Sequence, residues 1–177
     1  MSFILEAPRN TPIVYECDIC VIGGSCTGVF AAVRAARLGA RVAIVEQMGF
    51  FGGVATAAFV NIWHSLKDFN FEEQIIGGLT AEVIERLKKR NAVELKMKCH
   101  YAAYYLNTEE LKIELDGLVI ENKIKTFFHS KFCSPHMIDN RLDAIIIEDK
   151  SGRRCIKAAV FIDASGDADL VHRIDPA

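Results

Sequence analysis

The spacing of apolar residues changes twice early in the chain, and these changes predict one β-α-β unit. Residues 18–22 and 41–45 are mainly apolar, which is typical of strands buried on both faces of a parallel sheet. Between them, residues 29–36 place small and apolar side chains at helical spacing. Gly39 is predicted to end the helix, because glycine adopts the left-handed conformation of a helix C-terminus at little cost.

The first predicted strand runs directly into a turn of small residues, Gly23-Gly24-Ser25-Cys26-Thr27-Gly28. Gly23 allows a tight exit from the strand, and Gly28 lets the helix lie close to the sheet. The first amides of a helix have no partner within it and meet the positive end of its dipole, so a pyrophosphate is a natural ligand. Ser25 replaces the middle glycine of the G-x-G-x-x-G motif, and its hydroxyl can itself donate to a phosphate oxygen.

An acid, Glu46, closes the second predicted strand. A carboxylate at this position accepts hydrogen bonds from ribose hydroxyls and repels a 2′-phosphate, so the pattern predicts an unphosphorylated adenosine ribose. The alternative is a plain α/β crossover whose glycine turn holds no ligand. That alternative leaves the acid at the end of the strand unexplained.

A second glycine-rich segment, residues 47–56, follows the acid, and we expect it to return across the ligand. Gly52 and Gly53 permit a close approach of the main chain, and Thr56 offers a hydroxyl. Together with Gln47 they are candidate cofactor contacts. The alternative is an ordinary glycine loop.

The later patterns predict two helices, a half-buried strand, two further core strands and a hairpin. In chain order these are a helix over 79–91, a strand over 93–99, a helix opened by a capping box at Asn107 and Glu110, a strand over 124–128, a hairpin over 142–158 and a strand over 160–163. The aromatic residues over 101–105 are interpreted as core filling. Ser165, Gly166 and Asp167 follow the last strand and are expected at the ligand edge of the sheet.

These elements define an α/β fold with a doubly wound parallel sheet, helices on both faces and a small antiparallel β-meander. The predicted order of the parallel strands is third, second, first, fourth. We expect residues 1–177 to form a single dinucleotide-binding domain, preceded by a loose arm over residues 1–16.

Composition limits the function classes. The net charge is −2 and no basic stripe is present, so the sequence predicts no nucleic-acid partner. No uncharged apolar run reaches the ~20 residues of a membrane-spanning helix. The six cysteines are scattered and the N-terminus lacks the pattern of a signal peptide, which favours free thiols in a reducing, cytoplasmic compartment.

Two further features contain residue types that can carry chemistry. Cys17 and Cys20 are three residues apart on a predicted strand, where side chains are expected to face opposite sides, so no metal or redox site is predicted. His64 lies in a polar-aromatic cluster but is interpreted as a structural residue. The sequence therefore names no catalytic residue.

Four segments together resemble one family. They are DICVIGGSCTGVFAAVRAARLGARVAIVE, GFFGGVATAAFVN, NTEELKIELD and AAVFIDASGDADL, and they extend over most of the chain. The chain resembles the FAD-dependent oxidoreductases that are distantly related to the flavoproteins of fumarate reductase and succinate dehydrogenase.

The resemblance implies FAD, with residues 23–28 facing the pyrophosphate and Glu46 the adenosine ribose. It places Gly52, Gly53 and Thr56 toward the flavin and residues 165–167 near the ADP portion. The implied function is hydride or electron transfer through the isoalloxazine ring, with an unspecified small-molecule substrate. Members are usually longer, so we expect truncation before a substrate domain, and a homo-oligomer or a missing C-terminal domain as partner. The alternatives are a non-catalytic nucleotide-binding module and an NAD-binding domain.

Overall fold

The computed structural model describes residues 3–98 and 101–175 and places them in a mixed α/β fold. The strands are β1 (Ile13–Ile22), β2 (Val42–Val45), β3 (Ile62–His64), β4 (Val93–Lys98), β5 (Tyr101–Leu106), β6 (Lys125–Phe127), β7 (Lys131–Ile138), β8 (Arg141–Asp149) and β9 (Gly152–Asp163). The helices are α1 (Cys26–Arg37), α2 (Val54–Ala57), α3 (Gly78–Lys89), α4 (Thr108–Glu121) and α5 (Asp169–Ile174).

The main sheet has the strand order β6-β2-β1-β9-β8-β7. The first four strands are parallel, whereas β8 and β7 add to β9 as antiparallel neighbours. The parallel strands therefore confirm the predicted order of third, second, first, fourth. Their carboxyl ends meet at one edge of the sheet, where ligands bind in folds of this type.

Two strands are longer than predicted. β1 begins at Ile13, so residues 13–16 belong to the sheet and not to a loose arm. β9 is continuous over Gly152–Asp163, so the second hairpin strand and the fourth core strand are one element. Both extensions have one cause. The first half of β1 pairs with residues 155–158 of β9, so each strand satisfies the main-chain hydrogen-bonding groups of the other.

The two faces of the main sheet are covered differently. On one face, α1, α3 and α4 contribute buried side chains such as Val33, Ile84 and Leu115 to one core cluster. On the other face, Cys20 and Ile145 lie in a second cluster, which the β7–β8 hairpin and the short α5 cover. Helices therefore lie on both faces, as predicted, but on the second face the only described helix is the short α5 and strands provide the rest of the cover.

The sheet is strongly curled, which explains why strands cover the second face. β6 and β7 are the two edge strands of the sheet, yet only residues 128–130 join Phe127 to Lys131. A connection this short spans at most about 14 Å, so the sheet must fold back on itself until its edges approach each other. Ser130, directly before β7, donates its hydroxyl to the Asp149 carboxylate of the neighbouring β8 (Oγ to Oδ2, 3.3 Å). A twisted sheet with one long shared strand achieves this without a second layer of helices.

A small antiparallel sheet of order β3-β5-β4 packs beside the helices. Trp63 of β3 meets Phe30 of α1 edge-on, with 6.4 Å between ring centroids. The strand predicted over 93–99 is confirmed as far as Lys98, but its predicted buried face is not, because Leu95 and Met97 are exposed. Cys99 and His100 lie outside the described residues. The aromatic run after them forms β5, which the sequence patterns did not predict.

Only half of the predicted capping box is present at the start of α4. The Asn107 side chain accepts hydrogen bonds from the amides of Glu109 and Glu110 (3.0 and 3.2 Å), as expected of an N-cap. The Glu110 carboxylate pairs with Arg90 instead of returning to the Asn107 amide. That amide donates to the Ala92 carbonyl (2.8 Å), so a tertiary contact has replaced the local one.

Two helical glycines provide a matched test of the packing. A Cβ on Gly28 of α1 would lie 1.9 Å from the Gly23 carbonyl oxygen, whereas one on Gly117 of α4 would have its nearest neighbour, Glu121 Oε1, at 3.8 Å. We expect Gly28→Ala to cost at least about 2 kcal/mol of unfolding free energy, and Gly117→Ala to add about 0.5–1 kcal/mol. Urea unfolding measures both, and equal effects of the two variants would contradict this account.

Candidate functional site

A cavity of about 590 Å³ opens at the carboxyl edge of the parallel strands. Its wall combines the turn after β1, the segment after β2, the start of β7 and the segment from the end of β9 into α5. This volume lies within the range of small-molecule sites in proteins. The fold thus brings together residues that lie more than 100 positions apart in the chain.

The glycine turn is pressed between its neighbours. The Gly23 amide donates to the Val45 carbonyl (2.9 Å), and a Cβ on Gly23 would lie 2.3 Å from the Ala164 carbonyl oxygen. Ser25 caps α1, since its hydroxyl oxygen accepts from the Gly28 amide (3.3 Å). This bond uses the oxygen as an acceptor, so the hydroxyl proton is still available for a ligand.

Glu46 is only 7% exposed, yet it is one of the residues that line the cavity. Oε2 accepts from the Gly24 amide (2.6 Å) and Oε1 from the Met48 amide (2.6 Å). Each carboxylate oxygen has a further lone pair, which a ligand hydroxyl can use. The Glu46 carboxylate is therefore held beside the glycine turn by two main-chain amides, one from Gly24 and one from Met48.

The second glycine-rich segment returns to the first glycine turn, while its predicted course across a ligand stays a prediction. The Gly52 amide donates to the Gly24 carbonyl (2.8 Å), and a Cβ on Gly53 would lie 2.9 Å from the Ser25 Cβ. Thr56 is buried and donates its hydroxyl to the Phe51 carbonyl (2.8 Å). This hydroxyl holds the loop together and is not part of the cavity wall.

The acid that ends β9 organises the third segment. One Asp163 oxygen accepts from the amide and hydroxyl of Ser165 (3.1 and 2.7 Å), and the other accepts from the amides of Leu170 and Val171 (3.0 and 3.2 Å). Burial opposes ionisation of Asp163, but the hydrogen bonds outweigh it, so its pKa lies below the usual range. Asp163 thereby fixes α5 against the sheet edge.

Of the sequence-predicted site residues, eight form the cavity wall: Gly23, Ser25, Thr27, Glu46, Gln47, Gly53, Ser165 and Gly166. Another five lie behind the wall and hold it together: Gly24, Cys26, Gly28, Gly52 and Thr56. Asp167 is exposed, beyond the wall. Burial raises the pKa of the Cys26 thiol to about 11, so it is neutral at pH 7 and a poor nucleophile.

Several wall residues were not found from the sequence. Met48, Ser130, Lys131, Phe132 and Arg173 all line the cavity. The available signal was the third parallel strand, because residues that follow it must lie at the same edge as those that follow β2. Arg173 had no such signal, since its position depends on how Asp163 orients α5.

The prediction for the cysteine pair was wrong in its geometry. Cys17 and Cys20 lie in the same buried cluster, on one side of β1. The amides of Asp18 and Ile19 both donate to the Arg41 carbonyl (2.9 and 3.2 Å), so an irregularity in the strand removes the usual alternation. A hydrogen bond between the two thiols lowers the pKa of Cys17 and raises that of Cys20.

The described part of the chain contains neither a cluster of metal-binding side chains nor a helix suited to span a membrane. Over residues 3–98 and 101–175, no group of three or more histidine, cysteine or acidic side chains could hold a metal ion. His64 lies on β3, away from the cavity wall. None of the helices built from these residues has the length and apolar character needed to cross a membrane.

The parallel sheet, the glycine turn at the start of α1 and the acid after β2 define a dinucleotide-binding fold of the Rossmann type. The chain matches solved structures of this kind. They include THI4 of Thermovibrio ammonificans (TM-score 0.63, 19% identity, 91% of this chain and 62% of that one) and the open conformation of a flavocytochrome c3 fumarate reductase (TM-score 0.57, 16% identity, 85% and 34%).

The chain belongs to the FAD-dependent oxidoreductase family, described as "FAD dependent oxidoreductase", which matches residues 18–175. It is also 30% identical over 117 residues to dihydrolipoyl dehydrogenase of Trypanosoma brucei brucei, covering 55% of this chain but only 24% of that enzyme. The fold and family define a flavin-dependent oxidoreductase module whose cofactor is FAD. The residues present fit this group, because they combine a buried carboxylate, helix-start amides and small side chains around one cavity.

The Asp163 contacts generate a prediction about pH. The folded pKa of Asp163 is below the unfolded value of ~3.9, so its stabilisation is complete above that value and is lost as the pH falls through the folded pKa. We expect Asp163→Asn to lose about 1–3 kcal/mol at neutral pH, because α5 amides lose their acceptor. The gap between wild type and variant should shrink in acid.

Urea unfolding at neutral and acidic pH measures this effect. Asp167→Asn is the matched control, because Asp167 is exposed on the same segment. We expect it to change the unfolding free energy by less than about 0.5 kcal/mol. A constant gap between wild type and Asp163→Asn across the acid range would refute the assignment.

Proposed function

We propose that residues 1–177 form a single FAD-binding domain that holds the diphosphate at the start of α1 and the adenosine ribose at Glu46. The observation that carries this proposal is the Glu46 carboxylate. It is buried and accepts hydrogen bonds from the amides of Gly24 and Met48, and Glu46 is one of the residues that line the cavity. Burying a charge is costly unless it is paired, and this acid still has acceptor capacity for a ligand.

The other wall residues have distinct roles in this proposal. The first amides of α1, with Ser25 and Thr27, bind the diphosphate. Ser165 and Gly166 lie along the ADP portion. Gly53, with the small side chains of α2 that line the cavity, leaves room for the ligand to continue toward the flavin. Gln47 borders the ribose.

Bound FAD supplies a ring that accepts and passes on a hydride or electrons. The protein residues described above bind and orient the cofactor, and none of them is proposed as a catalytic acid or base. The chain spans 24% of the trypanosome enzyme's length and 62% of the THI4 chain. We therefore propose that a further domain or a second copy closes the substrate site, and that the whole protein oxidises or reduces a small molecule.

The thiols favour a location. Cys17, Cys20, Cys26, Cys133 and Cys155 are all free in the described part of the chain. Free buried thiols are typical of a reducing compartment, so we propose that the protein works in the cytoplasm.

A second candidate is a nucleotide-binding module that turns over no substrate. One observation favours it: among the described residues that line the cavity there is no histidine, the most frequent general acid or base, and Glu46 is already held by two main-chain amides. A full-length protein that binds FAD and shows no flavin reduction by any donor would support this candidate.

Ligand competition tests the proposed site. We expect the protein to bind FAD, with ADP as a competitor, because the proposed contacts lie in the ADP half of the molecule. FMN lacks that half and should not compete. ADP carrying an additional 2′-phosphate should compete poorly, since the phosphate would face the Glu46 carboxylate. Flavin fluorescence during titration measures each affinity.

A variant pair sharpens the test. Glu46→Gln removes the charge, so we expect weaker ADP binding, by about tenfold, and a smaller preference over the 2′-phosphorylated compound. It should also lower stability, because an amide side chain offers a single oxygen to the two main-chain donors. Glu72→Gln, an exposed acid, is the control. FMN competing as well as ADP would rule out the assigned orientation.

A further inference from the structure

Two positive side chains in the cavity wall, Lys131 and Arg173, have no role in the contacts described above. Both are exposed, and no ion pair joins either of them to a carboxylate of the described residues. Some cations of this chain are paired, such as Arg86 with Glu82 and Glu121. Others, such as Lys150, are exposed on the surface away from the cavity. Lys131 and Arg173 are set apart by their place in the cavity wall.

The position of Lys131 is set by the segment that carries Glu46, the acid proposed to bind the ribose. The Ser130 amide donates to the Glu46 carbonyl (3.0 Å), and the Glu46 amide donates to the Phe127 carbonyl (2.9 Å). These two bonds attach the start of β7 to the end of β2. Lys131, the next residue, therefore begins its strand beside Glu46.

The position of Arg173 is set by the segment that joins the end of β9 to α5. Asp163 accepts from the amides of Leu170 and Val171, and Ser165 accepts from the Asp169 amide (2.9 Å). α5 also packs against β7. The two elements that carry the cations thus contact each other, and each is anchored to a segment of the proposed binding site.

Charge balance explains why cations are needed here. The wall already contains the acids Glu46 and Asp169, and the diphosphate of FAD adds two further negative charges. The first turn of α1 contains no basic side chain; its basic residues, Arg34 and Arg37, are in the last turn. The helix start offers amides and a partial charge only, so the full positive charges of the wall come from Lys131 and Arg173.

We propose that Lys131 and Arg173 form a cationic clamp that selects ligands carrying a diphosphate over neutral nucleosides. This inference rests on the proposed function, since it assigns two further residues to the same site. Arg173 supplies a planar guanidinium that can bind phosphate oxygens in pairs, and Lys131 supplies a point charge that offsets Glu46. Both positive charges attract the diphosphate, which adenosine lacks, and both lie in the wall of the cavity that the start of α1 also lines.

The test compares three ligands and four proteins. Affinities for FAD, ADP and adenosine are measured by calorimetry at low and high salt. The proteins are wild type, the neutral double variant Lys131→Gln/Arg173→Gln, the charge-keeping double variant Lys131→Arg/Arg173→Lys, and the control Lys150→Gln. Lys150 is an exposed lysine in the turn between β8 and β9, away from the cavity.

We expect the neutral variant to lose about tenfold in affinity for FAD and ADP at low salt, and to lose most of the salt dependence of binding. Its affinity for adenosine should equal that of wild type. The charge-keeping variant should recover most of the loss, and the control should behave as wild type. Thermal unfolding checks that all four proteins are folded.

Three results would overturn the clamp. Equal losses for ADP and adenosine would show that the two residues shape the nucleoside site. Unchanged ADP affinity in the neutral variant, with tight binding by wild type, would refute the clamp and leave the proposed function standing. A wild-type protein that binds neither FAD nor ADP would refute both.

Discussion

The site depends on how closely the main chain approaches itself at the carboxyl ends of β1, β2 and β9. Side chains at Gly23 or Gly28 would collide with carbonyl oxygens, and one at Gly24 would lie 2.8 Å from a Glu46 carboxylate oxygen. Glycine at these positions lets the start of α1 reach the sheet edge and point its amides into the cavity. The cavity, the placement of the acid and the return of the second loop all follow from this packing.

Glu46 links the architecture to the proposed recognition. Its carboxylate joins the glycine turn to the end of β2 through two main-chain amides, so it is a structural acceptor even without ligand. The same geometry turns the group toward the cavity and limits its freedom to move. A pre-positioned acid loses little entropy on binding a ribose, which is an advantage for affinity. Stability and binding are therefore coupled at this residue.

The curled sheet completes the cavity from the opposite side. Because β9 is shared between the parallel sheet and the hairpin, the β7–β8 hairpin folds over the second face and brings the start of β7 to the end of β2. α5, fixed by Asp163, closes the remaining side. The family assignment fits this arrangement, and the chain spans 62% of the THI4 chain that it matches.

Local patterns in the sequence were sufficient for the β-α-β unit, the order of the parallel strands, the glycine turn and the acid at the strand end. The β-α-β unit, the turn and the acid depend on residues close in the chain, where turn chemistry and apolar spacing act directly. The strand order followed from the connection rules of parallel sheets. The extent of β1 and β9, the shared face of Cys17 and Cys20, and the wall residues Lys131 and Arg173 were decided by tertiary structure. They depend on pairing between distant segments, on a strand irregularity and on the curl of the sheet, none of which leaves a periodic signal in the sequence.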